Sequence, residues 1–249
     1  MINFIILAAG RGSRLKKTTE NIPKGLVKIN KDTSILEYQI KILEQYKNKK
    51  IIIVVGYKSD KIIKKFRGKN IIFIKNKIWN KSNMLYSLVC AEKYLMEKDS
   101  VILYSDIVYS KSIIDKIMTY KNQLSVAYDP NWLKLWKKRF KDPKVDAETF
   151  KINNLQEIIE IGKKVKNLKD VQGQYMGIIK IKVSMWKKIK KNFNLYDLKK
   201  MHVTHCLSQI INRNLAKIKA VKNTKKWFEI DNNKDLKIAK NYLNKNILK

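Results

Sequence analysis

The sequence predicts an α/β fold built on a doubly wound, mostly parallel central sheet, with a small β-rich insertion. Ile- and Val-rich runs of strand length recur along the first half of the chain. Segments with helical spacing of apolar residues lie between these runs. Strands that are apolar throughout and alternate with helices are typical of a parallel sheet buried on both faces.

The elements of the first half follow from these patterns. Strands are predicted at residues 2–7, 51–55, 71–74, 101–104 and 124–128. Ser34 predicts the start of a helix that runs to Tyr46, because Glu37 lies three residues later and completes a capping box. Further helices are predicted at residues 83–96 and 112–120.

The pattern changes after Asp129. An aromatic and charged stretch leads to two strand-like segments, NLQEIIEIG and GQYMGIIKIKV, so we expect residues 129–182 to form an insertion of short strands or a hairpin. A helix from about Trp186, a helix at 203–212, a strand at 217–221 and a helix from Lys234 complete the chain. The sequence contains neither internal repeats nor a linker, which predicts a single domain over residues 1–249.

The chain is strongly basic, with 55 Lys and Arg against 21 Asp and Glu and a formal net charge of +34. Such a charge raises nucleic acid as a partner. The lysines are spread over nearly every segment, however, and we interpret them as a solvated surface that steers anionic substrates. Arginines and aromatics interleaved on one stripe, which a non-catalytic nucleic-acid-binding protein would need, are missing from the sequence.

Other features of the sequence bear on its compartment. Cys90 and Cys206 lack the spacing of metal ligands, which favours reduced thiols and a cytoplasmic setting. No run approaches the roughly 20 apolar residues of a membrane span. The apolar N-terminus lacks the basic region of a signal peptide, so membrane insertion is not expected.

The string LAAGRGSRL at residues 7–15 is the strongest local signal. Only five arginines occur in the chain, and two of them lie in this loop. Glycine lets backbone N–H groups approach an anion, and an arginine provides a planar fork of donors. The loop follows a predicted first strand, where parallel sheets bind ligands. It matches neither the Walker pattern nor the dinucleotide fingerprint, whose third glycine is replaced by Leu15.

Three motifs carry a family resemblance. LAAGRGSRL followed by PKGLVKI resembles the signature of the nucleotidyltransferases that include sugar-nucleotide pyrophosphorylases and phosphocholine cytidylyltransferases. VILYSDIVYS resembles that family's strand ending in a metal-binding aspartate, and WFEIDNNKDL resembles its second aspartate motif. The resemblance implies a Rossmann-like nucleotidyltransferase fold. It also implies attack of a phosphate or phosphonate oxygen on the α-phosphorus of a nucleoside triphosphate, with release of pyrophosphate.

The resemblance also implies roles for single residues. Lys24, Arg14, Asp106 and Asp231 form the implied catalytic set. Asp106 and Asp231 would share a Mg²⁺ ion, with Glu229 and Asp235 as rivals for the second ligand. The implied nucleotide-binding set is Leu7, Ala8, Ala9, Gly10, Arg11, Gly12, Ser13, Arg14, Asn83 and Ser87. Capping and helix packing are an equally open explanation of Asn83 and Ser87.

The insertion is where we expect the acceptor to bind. Aromatic faces together with carboxylates suit an ammonium group. The candidate residues of this kind are Asp129, Trp132, Trp136, Asp146, Glu148, Tyr175 and Trp227. Alternatively, the tryptophans fill the seam between the insertion and the sheet.

Within the family, the chain is most similar to the cytidylyltransferases that act on phosphocholine or aminoalkylphosphonates. This similarity predicts CTP as the donor and a small phosphorylated or phosphonylated amine, such as phosphocholine or 2-aminoethylphosphonate, as the acceptor. A sugar-1-phosphate nucleotidyltransferase that uses UTP or dTTP is the alternative within the family. The oligomeric state stays open.

Overall fold

A computed structural model describes residues 1–245 of the chain. The strands are β1 (Ile2–Ala8), β2 (Lys49–Val55), β3 (Ile71–Lys75), β4 (Ser100–Tyr104), β5 (Ile107–Val108), β6 (Leu124–Asp129), β7 (Glu148–Ile152), β8 (Ile158–Lys164), β9 (Gln174–Ile181), β10 (Ile218–Lys222) and β11 (Phe228–Glu229). The helices are α1 (Ile35–Glu44), α2 (Ser59–Lys65), α3 (Met84–Cys90), α4 (Glu92–Glu97), α5 (Lys111–Thr119), α6 (Trp132–Arg139), α7 (Val183–Asn192), α8 (Leu195–Lys200), α9 (Val203–Asn212) and α10 (Asn233–Lys245).

Seven strands form the central sheet in the order β10-β6-β9-β4-β1-β2-β3. Neighbouring strands are parallel except at β9, which runs antiparallel to both β4 and β6. The predicted doubly wound, mostly parallel sheet is therefore confirmed. Strand order reverses between β1 and β4, and such a switch point opens a crevice beyond the carboxyl ends of the strands.

The region after Asp129 differs from the prediction in two ways. Its first part is the helix α6, because Trp132, Trp136 and Arg139 recur at helical spacing and form one buried face. Its last strand, β9, joins the central sheet, and β7 and β8 make a separate two-stranded sheet. Strand β9 is buried along most of its length, which is why it reads as an almost continuous apolar run.

The predicted capping box at α1 is confirmed. The backbone N–H of Ser34 donates to Glu37 Oε2 over 2.8 Å, and the N–H of Glu37 donates to Ser34 Oγ over 3.4 Å. The helix predicted at residues 83–96 instead divides into α3 and α4 around Ala91. Within residues 1–245, the longest apolar stretches of helix are too short to cross a bilayer.

Two short strands bring together two segments that lie far apart in the sequence. Strands β5 and β11 pair antiparallel, with Ile107 opposite Glu229. The N–H of Ile230 also donates to the carbonyl of Asp106 over 2.9 Å. This pairing brings the turn after β4 beside the residues that follow β11, although more than a hundred residues separate them along the chain.

Candidate active site

The glycine-rich loop leaves the end of β1 and turns sharply at Gly12. Gly12 has a φ of +70°, and a Cβ at this position would lie only 2.8 Å from the Cβ of Lys24. Any larger residue would combine a strained backbone with a clash. Glycine is therefore required here so that the loop and the Lys24 side chain can lie against each other.

Lys24 lies at the centre of a buried ionic cluster. Its Nζ is 2.7 Å from Asp106 Oδ2 and 2.7 Å from Asp231 Oδ1. Arg14 extends from the loop to the same oxygen of Asp231, with Nη2 at 2.7 Å. The four residues predicted to be catalytic therefore meet at one place, below the glycine-rich loop.

The charges of this cluster stabilise one another. Burial alone would lower the pKa of Lys24, but the negative charges of Asp106 and Asp231 outweigh it and raise that pKa. Burial would raise the pKa of Asp231, but Lys24, Arg14 and Arg139 lower it below its ordinary value. Both groups consequently stay charged at neutral pH, Lys24 as a cation suited to phosphate oxygens and Asp231 as an anion that holds the cations around it.

Asp106 has an oxygen that fits a magnesium ion, whereas the oxygens of Asp231 contact Lys24, Arg14 and Arg139. Asp106 Oδ1 is buried without a hydrogen-bond partner among the described residues, which leaves one carboxylate oxygen available to a cation. Mg²⁺ is commonly bound by one or two carboxylates together with waters and substrate phosphates. Within residues 1–245, no group of three or more His, Cys, Asp or Glu residues forms a larger cage.

Arg139 is a member of the site that the sequence analysis missed. Its side chain is 1% exposed and contacts three carboxylates: Glu229 at 2.8 Å, Asp231 at 3.1 Å and Asp235 at 3.0 Å. The guanidinium also stacks over the ring of Trp136, 4.5 Å from its centroid. The rarity of arginine, which singled out the loop, could have indicated this residue as well.

The two rival carboxylates have different surroundings. Asp235 accepts from the N–H of Asn232 over 3.3 Å, and Asn232 Oδ1 accepts from the N–H of Asp235 over 3.1 Å. Asn232 is therefore the N-cap of α10, and Asp235 completes its capping box and contacts Arg139. Glu229 keeps a quarter of its side chain exposed, and burial together with the charge of Asp231 raises its pKa.

A cavity of about 180 Å³ adjoins Arg14 and Asp231. Three of the predicted acceptor residues line it: Asp146, Glu148 and Tyr175. Burial raises the pKa of both Asp146 and Glu148. The cavity walls also include Gln174, Glu229, His202 and Thr204, which the sequence analysis did not assign to the acceptor. We call this space the acceptor cavity.

The structure corrects the interpretation of the tryptophans and Asp129. Trp132, Trp136 and Trp227 are at most 3% exposed and contact one another edge-on or tilted, and none lines the acceptor cavity. Trp132 Nε1 donates to the carbonyl of Val171, and Trp227 Nε1 donates to Asp129 Oδ2 over 2.8 Å. The burial of the tryptophans corresponds to the seam that the sequence left open as the alternative for them. Asp129 and Trp227 also line a separate cavity of about 460 Å³.

The remaining nucleotide-binding candidates are divided. Gly10, Arg11, Ser13 and Arg14 are exposed on the loop, whereas Leu7, Ala8 and Ala9 are buried at the end of β1. Ser87 is buried and accepts from Asn76 Nδ2 over 3.2 Å, and Asn83 Nδ2 donates to the carbonyl of Lys200. For Ser87 and Asn83, these bonds correspond to the packing explanation.

Both a protein-family model and known proteins match the chain. The sequence model of one protein family, the MobA-like NTP transferase domain, matches residues 4–134. A CTP:phosphoglutamine cytidylyltransferase from Campylobacter jejuni is 34% identical over 95% of this chain and 98% of its own. A choline-phosphate cytidylyltransferase from Streptococcus pneumoniae is 35% identical over 49% of this chain and 52% of its own.

Solved structures share the fold. The inositol-1-phosphate CTP transferase from T. maritima superposes with a TM-score of 0.73 at 19% identity, covering 95% of this chain and 93% of its own. The CTP:phosphocholine cytidylyltransferase from Streptococcus pneumoniae gives a TM-score of 0.71 at 19% identity, covering 96% and 98%. At this identity the similarity supports the fold, and the motifs and the longer sequence match support the family.

Proposed function

Because this chain belongs to the family of MobA-like NTP transferases, we propose that it transfers a cytidylyl group from CTP to a small phosphorylated or phosphonylated acceptor. The observation that carries the proposal is Lys24, held within 2.7 Å of both Asp106 and Asp231 beneath the glycine-rich loop. The full-length similarity to a CTP-dependent relative supports CTP as the donor.

The side chains act mainly by holding two polyanions together. Exposed N–H groups of the loop from Gly10 to Arg14 bind the triphosphate, and Arg14 stabilises the departing pyrophosphate. Lys24 neutralises charge on the α-phosphate and orients the attacking oxygen. Asp106 and Asp231 would hold Mg²⁺, which when bound neutralises phosphate oxygens. The acceptor oxygen is already ionised, so no general base is required.

The acceptor carries a nitrogen group in this proposal. Asp146, Glu148 and Glu229 line the acceptor cavity, and Arg14 and Arg139 lie beside Asp146 and Glu229. Glu148 accepts from the Thr204 hydroxyl, and it is the carboxylate of this lining that favours a cationic ligand. Phosphorylated amino acids, phosphocholine and 2-aminoethylphosphonate are the acceptors of this kind. The names of the two cytidylyltransferase relatives, with phosphoglutamine and choline phosphate, support such acceptors.

A matrix of donors and acceptors tests this function. Pyrophosphate release is measured with CTP, ATP, GTP, UTP and dTTP against phosphocholine, phosphoethanolamine, 2-aminoethylphosphonate, phosphoserine and glucose 1-phosphate. We expect release with CTP and a nitrogen-bearing acceptor. Release only with UTP or dTTP and glucose 1-phosphate would contradict the proposal. Binding of nucleic acid without any turnover would also contradict it.

A further inference from the structure

We infer that the N-terminus of α9 binds a carboxylate of the acceptor, so that the acceptor is a phosphorylated amino acid. This inference rests on the proposed function, and it adds a site at the far end of the acceptor cavity.

The first turn of α9 has donors without acceptors. Helix α9 has ten residues, its N-cap residue His202 makes no side-chain cap, and its first turn contains no acidic residue. Among residues 1–245, no protein group accepts a hydrogen bond from the N–H groups of Val203, Thr204 and His205. His202, Val203 and Thr204 line the acceptor cavity, so this positive end of the helix faces the ligand space.

Gln174 provides a second and independent indication of a ligand. Its residue is 9% exposed and lines the same cavity, and its Oε1 is buried with no hydrogen-bond partner among the described residues. A buried amide oxygen requires a donor. The ammonium group of an amino acid supplies that donor, while its carboxylate accepts from the helix N-terminus.

The cavity continues past the end of α9. Glu148, His202 and Thr204 also line a second cavity of about 430 Å³, to which Arg14 and Asp231 do not contribute. These shared residues therefore lie at the end of the acceptor cavity away from the catalytic cluster. An acceptor whose phosphate is near Lys24 would present its opposite end there.

The charges at this end suit a zwitterion. Glu148 Oε1 accepts from Thr204 Oγ1 over 3.3 Å, so this carboxylate contacts the side chain of the first turn of α9 and not its backbone N–H groups. Lys200 and His205 line the second cavity next to α9. A negative group near the helix end and a positive group near Glu148 and Gln174 match the two charges of an amino acid.

Two acceptors that differ by one carboxylate test the inference. Phosphoserine is phosphoethanolamine with a carboxylate added, so the ratio of their kcat/KM values with CTP isolates that group. We expect kcat/KM for phosphoserine to exceed that for phosphoethanolamine by about tenfold or more, because a hydrogen bond to a charged group contributes a free energy of that size. Equal kcat/KM values would overturn the inference and leave the proposed function intact. Failure of both acceptors and of every other nitrogen-bearing phosphate would contradict the function itself, and the inference with it.

A variant locates the site. His205→Glu places an acid in the first turn of α9, which favours the helix but repels a carboxylate, so we expect the preference for phosphoserine to fall to about unity. Ser184→Glu is the matched control, because Ser184 is exposed in the first turn of α7, which also lacks a side-chain cap. The control should keep the parent ratio. An unchanged ratio in His205→Glu would overturn the placement at α9.

Discussion

Lys24 is the residue on which the charges of the site converge. Its side chain is 11% exposed and bridges two carboxylates that come from the turn after β4 and from the segment after β11. Without this ammonium group, Asp106 and Asp231 would repel each other in a region of low water content. In the proposed function, the same group neutralises charge on a phosphate of the substrate.

We expect Lys24→Ala to lower kcat by about 10²-fold or more, since one preorganised donor of charge stabilisation is lost. Turnover is measured at saturating CTP and acceptor. Lys28→Ala is the matched control, because Lys28 is exposed and, among the described residues, its Nζ donates a hydrogen bond only to the carbonyl of Asp32. A Lys24→Ala enzyme that is folded and as fast as the control would remove Lys24 from the mechanism.

At the residue scale, motif and composition predicted the cluster but not its surroundings. Lys24, Arg14, Asp106 and Asp231 follow from short local strings that the family shares. The rarity of arginine could have singled out Arg139 but could not have placed it in the cluster, because its three carboxylate partners lie about ninety residues away along the chain. Tryptophans near carboxylates are typical of a pocket that binds a cation. Their burial in the structure shows that they pack against one another instead.

Helix α6 is the element that supports the site from behind. It contributes Trp136, which is fully buried and stacks beneath the Arg139 guanidinium. Arg139 in turn contacts Asp231. Loss of the indole would therefore leave a cavity and loosen a cation that neutralises three acids.

Truncation of Trp136 should consequently lower the stability of the protein and should not change the KM of one substrate alone. We expect Trp136→Ala to lower the free energy of unfolding by about 3–5 kcal/mol, and to affect both CTP and acceptor. Denaturant unfolding and both KM values are measured together. Lys137→Ala, the exposed neighbour on α6, should behave like the parent. A stable Trp136→Ala protein with a raised KM for the acceptor alone would instead support an aromatic pocket that binds the acceptor.

Helix α1 gives a pH-dependent test of its cap. Burial would raise the pKa of Glu37, but hydrogen bonds from Lys65 and Ser34 lower it to about 2 from an ordinary value of 4.5. A lowered pKa adds stability above pH 4.5 that is lost as the pH falls towards 2.

Glu37→Gln should therefore be less stable than the parent at pH 7, by about 0.5–2 kcal/mol for a weakened cap. The difference should shrink as the pH falls below 4.5. Urea unfolding of both proteins at pH 7, 4.5 and 3 measures it. A difference that stays constant over this range would show that the Glu37 carboxylate does not carry the effect.

Element types were predictable where one pattern dominated. Runs such as residues 51–55 are buried on both faces, so they indicate strands without ambiguity. The antiparallel insertion of β9 between β4 and β6 depends on pairing between segments far apart in sequence, which periodicity does not encode. Helix α6 was missed because its buried face includes a charged residue, Arg139, so the apolar residues alone do not show the helical period.

At the scale of the whole molecule, the topology explains why distant motifs form one site. The loop after β1 lies at the switch point of the sheet, and the β5–β11 pair carries the two aspartates to it. The net charge of +34 gives the surface a field that attracts polyanionic substrates and falls with ionic strength. Fold, cluster and charge therefore serve the same class of ligand.

The central claim is that the acceptor attacks the α-phosphorus of CTP at the Lys24, Asp106 and Asp231 cluster, and ³¹P NMR of the reaction tests it most directly. With CTP, Mg²⁺ and phosphoserine or phosphocholine, we predict the signals of free pyrophosphate and of a new diphosphate diester, both absent with Asp106→Asn. Asp60→Asn, at an exposed position on α2, should match the parent. Release of inorganic phosphate alone, or an Asp106→Asn enzyme as active as the parent, would contradict the claim.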